Sequence, residues 1–100
     1  DRQRQRAERY ILDNLVESQL SATSIACELG ISTRYLHSLF HEGLSVMQWV
    51  LEQRLQACHR EISARSGRSI ADIAYSWGFT GPQHFCHAFK KRFAVCASSL

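Results

Sequence analysis

Proline is all but missing from this 100-residue chain, with Pro82 the only one. Proline removes a backbone donor and breaks helix interiors, so long stretches here are free to be helical. Strand-like alternation of apolar and polar residues is nearly absent, which argues against a sheet. No run approaches the ~18 unbroken apolar residues of a membrane span, and no signal peptide opens the chain. We therefore expect no membrane partner and a cytoplasmic location. The four cysteines, Cys27, Cys58, Cys86 and Cys96, form no Cys-x-x-Cys pair. They read as small buried or semi-buried thiols in a reducing compartment, not as a disulfide framework.

Chemistry-bearing patterns are just as sparse. There is no Gly-rich phosphate loop, no nucleophile elbow and no pair of carboxylates placed for a cleft, so no catalytic residue and no cofactor is expected. His37-x-x-x-His41 has one-turn helical spacing, and His84-x-Cys86-His87 is a local cluster. Zinc needs three or four convergent ligands, the first pair lacks the Glu of His-Glu-x-x-His, and the cluster has no obvious distant partner. Scattered surface histidines account for both, and no metal is expected.

What is present suits one small globular domain: 45% of residues are apolar and the net charge is +3. A mild basic excess is compatible with nucleic acid without being diagnostic. Arg2, Arg4, Arg6 and Arg9 crowd the start, and the only lysines, Lys90 and Lys91, form a basic triplet with Arg92. An opening Asp1 in place of Met leads us to expect a fragment of a larger protein.

Apolar periodicity predicts a first helix over about 4–17, with Tyr10, Ile11, Leu12, Leu15 and Val16 as a broad apolar face. Ser21 is placed to cap a second helix carrying Ile25, Ala26 and Leu29 and ending at Gly30. Ser32 is placed to cap a third, with Leu36, Leu39 and Phe40 on one side. A long helix follows over 45–64, striped by Trp49, Val50, Leu55, Cys58 and Ile62. Gly67 and Ser69 reset the chain for a fifth helix with Ile70, Ile73, Ala74 and Trp77, stopped by Gly78. A sixth starts near 80–82, where proline suits the first turn, and carries Phe85 and Phe89 to Phe93. The tail 94–100 is too short to assign.

A repeat organises these segments. Ile25-Ala26-x-x-Leu29-Gly30-Ile31-Ser32 recurs 48 positions on as Ile73-Ala74-x-x-Trp77-Gly78-Phe79-Thr80. Leu36 and Phe40 match Phe85 and Phe89 at a shift of 49, so the second turn is one residue longer. Each position has a reason. Ala26 and Ala74 let a second helix cross closely. Gly30 and Gly78 sit where the chain leaves a helix with positive φ. Ile31 and Phe79 plug the angle between helices, while Ser32 and Thr80 can cap the next helix and present its amides to a phosphate. The pattern predicts an all-α fold with two helix-turn-helix subdomains joined by a long connector helix. Subdomain one covers about 1–44 with its helix-turn-helix at 21–42, the connector 45–64, and the second helix-turn-helix 69–93. A helix of ~20 residues spans ~30 Å, close to the ~34 Å between successive major-groove windows of B-DNA. We expect two recognition helices, 33–42 and 81–92, in adjacent major grooves of double-stranded DNA.

The stretch Ser69-Ile-Ala-Asp-Ile-Ala-Tyr-Ser-Trp-Gly-Phe-Thr-Gly-Pro-Gln-His-Phe-Cys-His-Ala-Phe-Lys-Lys-Arg-Phe93 resembles the signature of the AraC/XylS family of bacterial transcription regulators. Arg54-Leu55-x-x-Cys58 is similar to the family's Arg-Leu-x-x-Ala, with cysteine as the small residue. After Phe93 the family's Gly-Val-x-Pro is replaced by Ala94-Val95-Cys96-Ala97. The resemblance implies about seven helices, with the third and sixth as readers. Carried over by position, the base-edge candidates are Arg34, His37 and Ser38, then Pro82, Gln83, Cys86 and His87. Arg34 suits guanine and Gln83 adenine, both bidentately. Ser32, Thr33, Thr80, Lys90, Lys91 and Arg92 are the phosphate candidates. The resemblance further implies a promoter or operator as target, activation through RNA polymerase, and an effector-sensing domain N-terminal to this piece. A helical protein-interaction module without DNA binding is the alternative, since a recognition helix can also present a docking surface.

Overall fold

The computed structural model of the protein describes residues 2–100, which contain helices and no strand. The helices are α1 (Arg2–Asp13), α2 (Ala22–Leu29), α3 (Thr33–Leu39), α4 (Val46–Ser63), α5 (Ile70–Ser76) and α6 (Pro82–Phe93), followed by a 3-10 turn at Ala97–Ser99. They form two compact units, the first ending at Gln53 and the second starting at Arg54. The boundary falls inside α4, so this one helix supplies residues to both units. No described helix is long and apolar enough to cross a membrane.

In the first unit α1 packs on α2 and α3, and α2 on α3. Ala7, Ile11 and Leu15 recur every four residues and are buried, forming the narrow stripe that one helical face can present. The broader face and the end near residue 17 are corrected here. After Asp13 the chain tightens into turns, with Asn14 N donating to Ile11 O at 3.0 Å and the Asn14 amide donating to Tyr10 O at 2.8 Å. Leu12 and Val16 are consequently left 49% and 55% exposed.

Serines start the helices. Ser21 and Ser24 cap α2 reciprocally, each side chain accepting the other's backbone N–H at 3.1 and 2.9 Å. Ser32 accepts from Tyr35 N at 3.0 Å at the start of α3. Ser45 and Gln48 hold the start of α4 in the same reciprocal way. α3 ends at Leu39, three residues short of the expected 42. Phe40 departs from helical backbone at φ −113° and its ring turns into the core, 6.0 Å from that of Trp49.

The repeat is visible atom by atom. Gly30 and Gly78 take φ of 70° and 97°. In the first turn Gly30 N bonds Cys27 O at 3.2 Å and Ile31 N bonds Ala26 O at 3.0 Å. In the second, Gly78 N bonds Tyr75 O at 3.2 Å and Phe79 N bonds Ala74 O at 3.1 Å. These are the two closing bonds of a left-handed helix C-terminus, formed twice at the same spacing.

In the second unit α5 packs on α6, and α6 on the 3-10 turn. Its core is aromatic: Phe79 meets Phe85 edge-on at 5.1 Å, Phe85 meets Phe89 at 5.5 Å, and Phe89 meets Phe93 at 4.7 Å. His59 of α4 lies 4.6 Å from Phe93. Glu61 accepts from Trp77 Nε1 at 3.1 Å, Arg68 at 2.9 Å and Ser66 at 3.2 Å, tying α4 to both ends of α5. Ser69 caps α5 through Asp72 N. Thr80 does not cap α6, contrary to expectation. The extra residue in the turn moves the cap to Gly81, which has no side chain to offer, and Pro82 follows at the first helical position. Where a seventh helix was expected, the described residues form only the 3-10 turn, after Ala94 closes α6 at φ 63°.

Two stability outcomes follow from this framework. Nothing lies within 4 Å of a Cβ placed on Gly30, so Gly30→Ala carries only the left-handed backbone cost. It should lower unfolding free energy by ~1–2 kcal/mol in a denaturant titration, and an unchanged midpoint would refute the turn's role. Glu61 titrates below the usual carboxylate range, first through the Trp77 hydrogen bond and then through Arg68 and Ser66. A depressed folded-state pKa gives stability that is complete above the ordinary value and is lost as pH falls through the depressed one. In a Trp49→Phe chain, Trp77 fluorescence should report this acid loosening, and Glu61→Gln should flatten it.

Candidate nucleic-acid interface

α3 and α6 each bury one face and leave the other bare. On α3, Leu36 and Leu39 are buried with Phe40 just beyond, whereas Arg34, His37 and Ser38 stand at the i, i+3, i+4 positions of one exposed face. On α6, Phe85 and Phe89 are buried, and Gln83, Cys86, His87, Lys90 and Lys91 line the exposed side, with Pro82 at its start. The shift of 49 superposes Gln83 on Arg34, Cys86 on His37 and His87 on Ser38. All seven base-edge candidates are thus exposed, and each helix gathers its own set on one face.

Most of these side chains are uncommitted. Among the described residues Arg34, His37, Gln83 and His87 have no hydrogen-bond, ion-pair or ring partner. Ser38 differs, because its hydroxyl donates to Tyr35 O at 2.6 Å and so presents lone pairs outward. His41 Nδ1 donates to Ser38 O at 2.6 Å, and its Nε2 lies 3.5 Å from Glu42. No group of three or more His, Cys, Asp or Glu is placed to hold a metal among the described residues. Tyr35, unassigned from the sequence, is also exposed on α3.

Ser32, Thr33, Thr80, Lys90, Lys91 and Arg92 are all exposed. Ser32 uses its hydroxyl as a cap, and the Arg92 guanidinium lies 4.8 Å over the Phe93 ring. Lys90 and Lys91 have no ion-pair partner among the described residues. The N-terminal arginines separate by role: Arg6 donates to Gln3, while Arg4 binds Glu8 and the carbonyl of Leu39. The Arg4-x-x-x-Glu8 spacing was a legible sign of the first of these pairs, but the second joins residues 35 apart.

With this geometry in view, known proteins are informative. A family model described as a helix-turn-helix domain matches residues 25–100, most of the chain. The chain is 36% identical over 91 residues to the HTH-type transcriptional regulator GlxA of Rhizobium meliloti (strain 1021), covering 89% of this chain and 28% of that protein. This chain belongs to the AraC-type helix-turn-helix family. Another AraC-type relative is the transcriptional activator NphR of a Rhodococcus species, 33% identical over 88% of this chain and 26% of its own length. Among solved structures, the C-terminal domain of AraT, a response regulator from Geobacillus stearothermophilus, superposes with a TM-score of 0.90 at 26% identity. That match covers 99% of this chain and 83% of the other. The chain spans under a third of the length of these curated AraC-type relatives.

Departures from the AraC-type signature are now located. Cys58, standing for the family's alanine in the connector, is fully buried, and burial, helped by Glu61, pushes its thiol pKa up to about 12. Arg54 is buried too, and desolvation lowers its pKa. Cys27, Cys86 and Cys96 are exposed, so the expectation of buried or semi-buried thiols holds only for Cys58. A thiol-reactive reagent should therefore label Cys27, Cys86 and Cys96 in the folded protein and reach Cys58 only on unfolding. Labelling of all four cysteines at one rate in native buffer would contradict this.

Proposed function

We infer that this chain binds duplex DNA in a sequence-specific way and serves as the DNA-reading part of a transcription regulator. The observation that carries the reading is the doubled turn, each copy placing a bare polar face at equivalent positions of α3 and α6. In this reading Arg34 forks onto guanine and Gln83 onto adenine in the major groove. His37 and His87 donate or accept. Ser38, its proton held by Tyr35 O, accepts from an exocyclic amine of adenine or cytosine. Pro82 and Cys86 offer apolar contact to a thymine methyl.

Charge divides the labour. Residues 54–100 hold seven Lys or Arg against two Asp or Glu, whereas residues 1–53 hold five against seven. Phosphate attraction is then carried by the second unit, with Lys90, Lys91 and Arg92 beside the reading face and Thr80 before it. Ser32 and Thr33 supply only neutral hydroxyls at α3. The first unit discriminates bases and the second also anchors the backbone. In the whole protein, an effector-sensing domain outside this chain sets promoter occupancy in the cytoplasm. Activation runs through contact with RNA polymerase, and this chain acts by binding, with no catalytic step of its own.

Selection of bound fragments from random duplexes supplies the target site, and titrations on that site test the roles. Affinity should fall steeply with salt. Arg34→Ala and Gln83→Ala should each cost about 1–3 kcal/mol and relax preference at one base position, whereas Lys90→Ala or Lys91→Ala should reduce the salt slope by about 1 without changing preference. Salt-insensitive binding to a protein with no affinity for any duplex would favour an interaction module instead.

A further inference from the structure

α3 has only seven residues, about 10 Å of helix, well below the length at which an isolated helix holds itself together. Its reading face is therefore aimed by what grips its ends. Ser32 grips the first. At the second, three interactions converge on Arg4 from the opening turn of α1. Its NH1 donates to Leu39 O at 3.0 Å, its Nε donates to Glu8 at 2.9 Å, and its guanidinium lies 4.2 Å over the Phe40 ring.

The chemistry is specific to a guanidinium. Leu39 O is one of the terminal carbonyls that no later amide of α3 can satisfy, and a cation there also complements the helix dipole. A planar fork can bond a carboxylate and a carbonyl while its face rests on an aromatic ring, which an ammonium cannot do at once. Phe40, held on one side by Arg4, lies beside Trp49 of α4. The residue through which the chain leaves α3 is thus fixed from two helices. His37 and Ser38 stand two and one residues before Leu39, and Arg34 just over one turn before it.

We propose that Arg4 is a positioning residue for base reading: it clamps the C-terminal end of α3 and so sets how Arg34, His37 and Ser38 meet the base edges. Arg4 itself touches no nucleotide. The proposal rests on α3 reading DNA, and it separates Arg4 from its neighbours Arg2, Arg6 and Arg9, which make no such contact with α3 among the described residues.

The test compares Arg4→Met, which keeps an apolar stem and loses charge and donors, with Arg4→Lys, which keeps charge and loses the fork. Two measurements are made on the 100-residue chain: backbone amide exchange without DNA, and affinity across all single-base variants of the selected site. Both variants should speed exchange in the last turn of α3. Both should weaken binding to the preferred site about tenfold, as for one misaligned base contact, only at bases whose preference Arg34→Ala, His37→Ala or Ser38→Ala also erases and with the salt slope unchanged. At the base whose preference Arg34→Ala erases, Arg4→Met combined with Arg34→Ala should be no worse than Arg34→Ala alone. If Arg4→Lys matches the parent while Arg4→Met loses about one unit of salt slope, Arg4 is a phosphate contact and the proposal is overturned. Unaltered base preference in both variants overturns it as well. A parent chain that binds no duplex overturns the DNA reading itself, an outcome distinct from either of these.

Discussion

At Gly30 and again at Gly78 the chain turns out of a helix through left-handed backbone, and the following amide closes on the carbonyl of a buried alanine. Everything downstream in each unit is placed by that closure. Because Ile31 N bonds Ala26 O and Phe79 N bonds Ala74 O, the side chain after each glycine is held at the angle between two helices. Ala26 and Ala74 are buried there, and a larger residue would force the helices apart at the very atom that closes the turn. With the crossing set, the next helix has one choice of buried face. The face left over is the polar one.

The two copies share this closure and then diverge. The first leaves the turn directly through Ser32, whose hydroxyl caps a short helix that depends on neighbours at its far end. The second spends one more residue, caps with Gly81 and starts with Pro82, so its helix begins without side-chain help but runs for 12 residues. An aromatic ladder from Phe79 to Phe93 holds that longer helix, where the first unit relies on aliphatic Ile11, Ile25 and Leu36. Length has a consequence for charge: α6 extends far enough past Gln83, Cys86 and His87 to carry Lys90 and Lys91 on the same side, and α3 does not.

What could be read from the sequence was what local spacing decides. Glycine, hydroxyl and apolar residues at fixed offsets marked both turns, the serine caps and the buried faces of α3 and α6, since each is settled within about five residues. The misreadings share a different cause. Leu12 and Val16 fit the helical period, but Asn14 turns the chain before the period can act. Thr80 occupies the capping position of its counterpart, but an extra residue in the turn shifted the cap beyond it. Arg4 looked like one charge among four, because its decisive partner, Leu39 O, is 35 residues away. The partner of Glu61 was equally beyond local reach: Trp77 lies 16 residues on. Composition alone reads all four cysteines as buried or semi-buried thiols, whereas helix position separates buried Cys58 from exposed Cys86.

In the proposed DNA-reading role, the division between committed and uncommitted side chains is what would make the surface selective. In water, the bare guanidinium of Arg34 and amide of Gln83 are solvated and cost nothing. Against a base edge they lose that water, and a wrong base leaves donors buried without acceptors, a penalty of about 1–3 kcal/mol per group. Rejection of wrong sequences therefore contributes as much as attraction to the right one. That penalty is felt only if the side chain cannot swing away to find another partner, which requires the helix carrying it to be held at both ends. Ser32 and Arg4 do this for α3, while for α6 Phe79 packs on Phe85 near its start and His59 of α4 packs on Phe89 and Phe93 at its end. A rigid frame around unpartnered donors is thus what the proposed reading requires, and the two units build that frame from different residues.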